Sequence, residues 1–128
     1  MASIIYEGIF DRFPEAKIVM AHGGGFLPHY CGRLDRNVTN MPESARNIAR
    51  EPSDYLASFY YDTCTYGASV TAALVARVGA DRLVMGSDYA VGDPDPIASV
   101  KEVANIAKKD LDLVTGGTAA HLLGLGER

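Results

Sequence analysis

The chain has 128 residues, 48% hydrophobic and 22% charged, the balance of an ordinary folded domain rather than of a disordered segment. Sixteen acidic residues against twelve basic ones give a formal charge of −4, the wrong sign for a surface that tracks phosphates, so nucleic acid is not expected as a partner. The longest apolar runs are about five residues against the ~20 of a membrane span, and no signal-peptide core is present, so one soluble, cytoplasmic domain over 1–128 is expected. Two cysteines, Cys31 and Cys64, are too few for a disulfide framework and are expected as reduced, half-buried thiols.

Ile4, Ile5, Gly8, Ile9 and Phe13 recur at helical spacing, and Phe13-Pro14 closes that first helix, because the residue before a proline is pushed out of the helical region. Residues 17–21 form a short apolar run that predicts a strand buried on both faces. His22-Gly23-Gly24-Gly25 follows, too glycine-rich to remain in a sheet. A helix rich in aromatic and basic residues is predicted over 27–36, then a polar stretch bounded by Pro42 and Pro52. The run 57–62 predicts a second strand, 69–78 a helix stopped by Gly79, and 82–86 a third strand. Asp95 is the predicted N-cap and Pro96 the first residue of a helix running to about Lys108. A last helix over 118–123 stops at Gly124. Strands alternating with helices imply a parallel sheet with right-handed crossovers. The opening helix has no strand before it, which fits the middle of a larger fold.

In parallel α/β folds the functional side chains sit at the C-terminal ends of the strands. Three such ends carry His22, Asp62 with Thr63, and Asp88 between Ser87 and Tyr89. A histidine and an aspartate converging there form a metal site, an acid/base pair, or both. The glycines after His22 remove bulk and let a ligand approach the imidazole, although a histidine packed under a loop would also satisfy the pattern. Asp88 at a buried strand end is costly unless paired, metal-bound or hydrogen-bonded; a simple turn carboxylate is the alternative. Asp62 reads as a turn cap acting through Thr63. Arg33, one of four arginines between positions 33 and 50, reads as a solvated or salt-bridged helix residue. His29 reads as a surface or interface histidine and His121 as a surface one, and Asp93 and Asp95 as loop-shaping and capping acids. Cys64 has no base near it in sequence that would make it a nucleophile. The glycine run lacks both the Gly-x-Gly-x-x-Gly spacing and the Lys-Ser/Thr of a phosphate loop.

These segments together are familiar. Gly8-Ile9-Phe10-Asp11-Arg12-Phe13-Pro14, Lys17-Ile18-Val19, Ala21-His22-Gly23-Gly24-Gly25, Leu27-Pro28 and Gly32-Arg33 closely resemble the amidohydrolase-related family. That family includes the aminocarboxymuconate-semialdehyde decarboxylases and related aromatic-acid decarboxylases and hydrolases. Phe59-Tyr60-Tyr61-Asp62-Thr63, the run from Gly79 to Tyr89 with its Gly86-Ser87-Asp88-Tyr89, Gly92-Asp93-Pro94-Asp95-Pro96 and Leu122-Leu123-Gly124-Leu125 continue the match over nearly the whole chain.

The resemblance implies a metal-dependent (β/α)8 TIM barrel, of which this chain would supply the C-terminal part, about strands six to eight with their helices. It implies that Asp88 binds the metal and that His22 polarises or deprotonates the metal-bound water. It implies that Arg33 reaches across a dimer interface to a small carboxylate substrate. The family's His-x-His pair and its further histidine have no counterpart here, so a divalent metal, Zn²⁺ first, would need ligands missing from this chain. Tyr66-Gly67 stands where many decarboxylase relatives have a histidine and an aspartate, and Thr118 and His121 where many have Asn and Arg.

The expected function is therefore part of a metal-dependent hydrolase or non-oxidative decarboxylase, inactive as an isolated segment. It would be completed by self-association or by an N-terminal half. A stand-alone barrel remnant acting by self-association or ligand binding is the alternative, and a flavodoxin-like nucleotide binder a third reading.

Overall fold

The computed structural model describes residues 1–103 and 105–125. Three short strands, β1 (Val19–Met20), β2 (Tyr60–Asp62) and β3 (Leu83–Val84), form one parallel sheet in the order β1-β2-β3. Val19 lies opposite Tyr60 and Met20 opposite Tyr61, while Tyr61 lies opposite Leu83 and Asp62 opposite Val84. The expected parallel α/β arrangement is thus present, with strands shorter than predicted. The first ends early because His22, Gly23, Gly24 and Gly25 take φ values of 53°, 59°, 76° and 65°, none of which a strand accommodates. The second starts late because residues Pro52–Ser58 wind into a 3₁₀ helix. The expectation that the first strand is buried on both faces is overturned. Val19 is 48% exposed, so the face of β1 that carries it is not covered.

The opening segment is two helices rather than one, α1 (Ala2–Tyr6) and α2 (Ile9–Arg12). Gly8 separates them with φ +63°, and a Cβ there would lie 2.1 Å from the Asn47 carbonyl oxygen. The next predicted helix is likewise a pair, α3 (Leu27–Tyr30) and α4 (Gly32–Asn40), and it extends past position 36. Helix α5 (Ala68–Val78) ends at Gly79, φ +94°, as its glycine predicts. Helix α6 (Pro96–Lys101) starts as expected, the Asp95 carboxylate accepting from the Ala98 amide at 3.0 Å. It stops well short of Lys108, because Asn105 sits in the left-handed region and Ala107 is extended. A helix absent from the sequence reading, α7 (Lys108–Asp112), follows and runs through one π-turn into α8 (Thr118–Leu122).

The core is built of Ile5, Phe10, Phe59, Tyr61, Leu74, Leu83 and their neighbours. The Phe10 and Phe59 rings meet edge to face at 4.8 Å, the arrangement their quadrupoles favour. Buried phenols keep their hydrogen bonds: Tyr55 donates to Asp11 Oδ2 at 2.7 Å, and Tyr61 to the Leu56 carbonyl at 2.8 Å. Cys31 and Cys64 are unpaired thiols, but both are fully buried, which corrects the half-buried expectation. Among the described residues, no helix is long and apolar enough to cross a membrane.

Leu74 is completely buried between the sheet and its helix layer, so Leu74→Ala is expected to destabilise the fold by about 2–5 kcal/mol in urea unfolding. Burial, reinforced by Asp35, raises the Cys31 thiol to about 11, and burial with Asp62 and Asp88 raises Cys64 to about 11 as well. The folded chain therefore keeps protons that the unfolded chain releases from about pH 9, and stability falls as pH rises from there towards about 11. The urea midpoint is expected to drop between about pH 8 and about pH 10.5, and to drop less in a Cys31→Ala/Cys64→Ala chain. An identical drop in both chains would remove the thiols as its cause.

Candidate active site

Parallel pairing brings the three strand ends side by side, and two side chains tie the loops that leave them. Asp62, the last residue of β2, accepts from the Gly23 amide at 3.1 Å and from the Cys64 amide at 3.0 Å through one oxygen, Oδ1. Thr63 Oγ1 accepts from the Gly86 amide at 3.2 Å. Asp62 is thus a turn-capping residue, as its position suggests, but it also clamps the loop after β1. Gly86 lets the third loop come close, since a Cβ there would sit 2.9 Å from Cys64 Sγ.

His22 stands at the mouth of this assembly, exposed to solvent, with φ 53°. Its Nδ1 lies 3.3 Å from the Cys64 carbonyl oxygen. A carbonyl only accepts, so Nδ1–H is the donor in this contact. The Tyr66 ring lies 6.3 Å from the His22 ring at an inclination of 28°. The Tyr66 hydroxyl donates to Asp88 Oδ2 at 2.5 Å, and that bond, ahead of the other causes, pushes the phenol up to about 12. Asp88 has φ 55°, and its carbonyl accepts from the Val91 and Gly92 amides at 3.1 and 2.9 Å, closing a tight loop.

His22 and Asp88 are therefore brought to one end of the sheet and joined through Tyr66. Arg33 is not: it lies exposed on α4, in a groove with Phe26, Tyr30 and Leu34, and none of the contacts above includes it. His29 and His121 are exposed, and Asp93 and Asp95 hold the loop before α6, all as read from the sequence. Sequence reasoning missed Tyr66 as a site residue. Its signal was indirect, a tyrosine followed by glycine just beyond a strand end.

The donor set is too small for a metal. Among the described residues no three His, Cys, Asp or Glu side chains are grouped so as to hold an ion, whereas a zinc site takes at least three protein ligands. Asp62 Oδ1 is committed to two amides, and the Cys64 thiol is held protonated by burial. The residues present do not fit a complete metal centre.

The amidohydrolase family profile (Amidohydro_2) matches residues 1–125. The chain belongs to that family. This amidohydrolase-family chain is 30% identical over 131 aligned residues to a 2-amino-3-carboxymuconate-6-semialdehyde decarboxylase of Dictyostelium discoideum, covering 98% of this chain and 36% of the relative. The 5-carboxyvanillate decarboxylase of Sphingomonas paucimobilis superposes with a TM-score of 0.82 at 28% identity, covering 94% of this chain and 37% of that one. A dihydroxybenzoic acid decarboxylase from Polaromonas sp. JS666, solved with bound manganese and an inhibitor, superposes with a TM-score of 0.84 at 24% identity, covering 99% and 39%. The chain thus spans a little over a third of the length of these relatives.

A Cβ on Gly92 would lie 2.3 Å from the Ser87 carbonyl oxygen, 2.5 Å from Asp88 Cβ and 2.8 Å from the Tyr66 hydroxyl. Gly92→Ala is therefore expected to displace the 88–92 loop and break the Tyr66–Asp88 bond. The tyrosine absorbance of the variant should then titrate at lower pH than in the parent chain; an unchanged alkaline titration would show that the loop tolerates the methyl group.

Proposed function

We propose that this chain forms part of a non-oxidative decarboxylase acting on a small carboxylated substrate, within a (β/α)8 barrel to which it contributes about strands six to eight. The observation that carries this reading is the meeting of His22 and Asp88 at the C-terminal end of a parallel sheet, bridged by Tyr66. That end is where barrels of this kind place their chemistry. The decarboxylase names of the relatives favour a carboxy-lyase over a hydrolase.

In such a reaction the carbon that loses carbon dioxide gains a proton. His22 is suited to deliver it, because its ring is exposed at the strand end and oriented by the contact of Nδ1 with the Cys64 carbonyl. Asp88 is the chain's contribution to a divalent-metal centre whose remaining ligands lie outside this donor set. Zn²⁺ is the first expectation from the sequence, and Mn²⁺ is the ion of the Polaromonas relative. The family resemblance assigns to Arg33, exposed on α4, the role of reaching into the site of a second copy and pairing with a substrate carboxylate. A barrel remnant that self-associates without chemistry is the competing reading, favoured by the small donor set.

The two separate in one experiment. The chain alone is expected to release no carbon dioxide from 2,6-dihydroxybenzoate or 5-carboxyvanillate. Co-expression with the complementary two-thirds of the Sphingomonas paucimobilis relative is expected to restore release from 5-carboxyvanillate. In the restored enzyme His22→Ala should lower turnover by about 10²-fold or more with metal content retained, whereas Asp88→Ala should empty the metal site. Failure of complementation to give any metal-dependent release, with a stable self-associated chain, would favour the non-catalytic reading.

A further inference from the structure

At the end of the sheet opposite to His22 and Asp88, where the three strands begin, lies a second cavity, of about 320 Å³. Its wall takes one polar side chain from just ahead of each strand: Lys17 two residues before β1, Ser58 two before β2 and Arg82 immediately before β3. His121 of α8 and the carboxylate of Glu15 complete its polar lining.

Both permanent cations are held in position. Lys17 Nζ donates to the Leu122 carbonyl at 3.2 Å, a bond across 105 positions of the chain that caps the end of α8. An ammonium has three N–H donors, so two remain for a ligand. The Arg82 guanidinium lies 5.1 Å from the centre of the Tyr60 ring, and Tyr60 is buried, so the arginine rests on a fixed platform. Asp81 approaches its Nε at 3.5 Å, whereas four of the five guanidinium donors sit on the Nη atoms. Asp81 is itself exposed and lies outside the lining. The wall therefore presents two fixed cations, an imidazole and a hydroxyl against one carboxylate, in a chain whose net charge is −4. A planar fork beside an ammonium is a donor set for an oxyanion, and two cations suit a dianion better than a monoanion.

We propose that this cavity binds a small phosphate-bearing molecule, its phosphate held by Lys17 and Arg82 with Ser58 and His121 as further hydrogen-bonding partners.

The test uses the full 128-residue chain, labelled with ¹⁵N, and inorganic phosphate as the probe, with NaCl adjusted to keep ionic strength constant. Phosphate is expected to shift the amides of residues 15–17, 58, 82 and 121 saturably, and to leave those of 22–25 and 88–92 in place. Lys17→Gln and Arg82→Gln should each raise the half-saturating phosphate concentration by at least about fivefold. Lys101→Gln, the same change of charge at an exposed position of α6, should change it by less than about twofold. Acetate should need a concentration at least about tenfold higher than phosphate. Absent or unsaturable shifts overturn the site. So does equal weakening by all three substitutions, which would mark diffuse charge attraction. Acetate matching phosphate overturns the assignment to phosphate. If Arg82→Gln does not fold, Lys17→Gln decides by the same threshold, since its side chain is exposed and its loss leaves the core untouched.

Discussion

One carboxylate oxygen organises the loops at the C-terminal end of the sheet. Asp62 Oδ1 takes hydrogen bonds from two backbone amides, one in the loop after β1 and one in its own loop after β2. Parallel strands alone would leave those loops free to diverge, since their connections run through separate helices. The shared oxygen holds the turn that carries His22 against the segment that carries Cys64 and Tyr66. Charge-assisted hydrogen bonds of this kind are among the stronger ones available. Thr63 extends the same device by one loop, reaching Gly86. Placement of the imidazole relative to the loop after β3, which carries Asp88, therefore depends on Asp62 and Thr63.

The backbone around the site is shaped by glycine where the loops crowd and by strain where a side chain is needed. Gly23, Gly86 and Gly92 each face a neighbour closer than a Cβ could approach. Between them His22, Tyr66 and Asp88 accept the left-handed conformation that glycine would take more easily. Such positions persist only where surrounding contacts over-determine them. The tight loop after Ser87, with Asp93 donating its amide to the Ser87 carbonyl at 2.7 Å, supplies that constraint for Asp88.

Much of this architecture was legible in the residues. Asp95 before Pro96 marks a helix start, Gly79 a helix end, and the alternation of apolar runs with helical spacing a parallel sheet. His22 and Asp88 stood out because each follows a strand beside glycine. Strand lengths and the exposure of Val19 were not legible, because burial depends on what packs over each face of a strand, and an apolar run does not record that. The break at Asn105 was hidden because asparagine tolerates a left-handed turn without announcing one. Tyr66 escaped because its partner is 22 positions away, and nothing local records which acid a phenol will meet.

The exposed edge at Val19 has a consequence of its own. Bordered on one side only among the described residues, β1 leaves amide and carbonyl groups of its free edge as a short template on which another extended segment can lay itself down. Folding and association then become linked quantities. Whatever segment docks along β1 adds its binding free energy to the stability of the sheet, so thermal resistance should climb with the concentration of that segment instead of being a fixed property of the polypeptide.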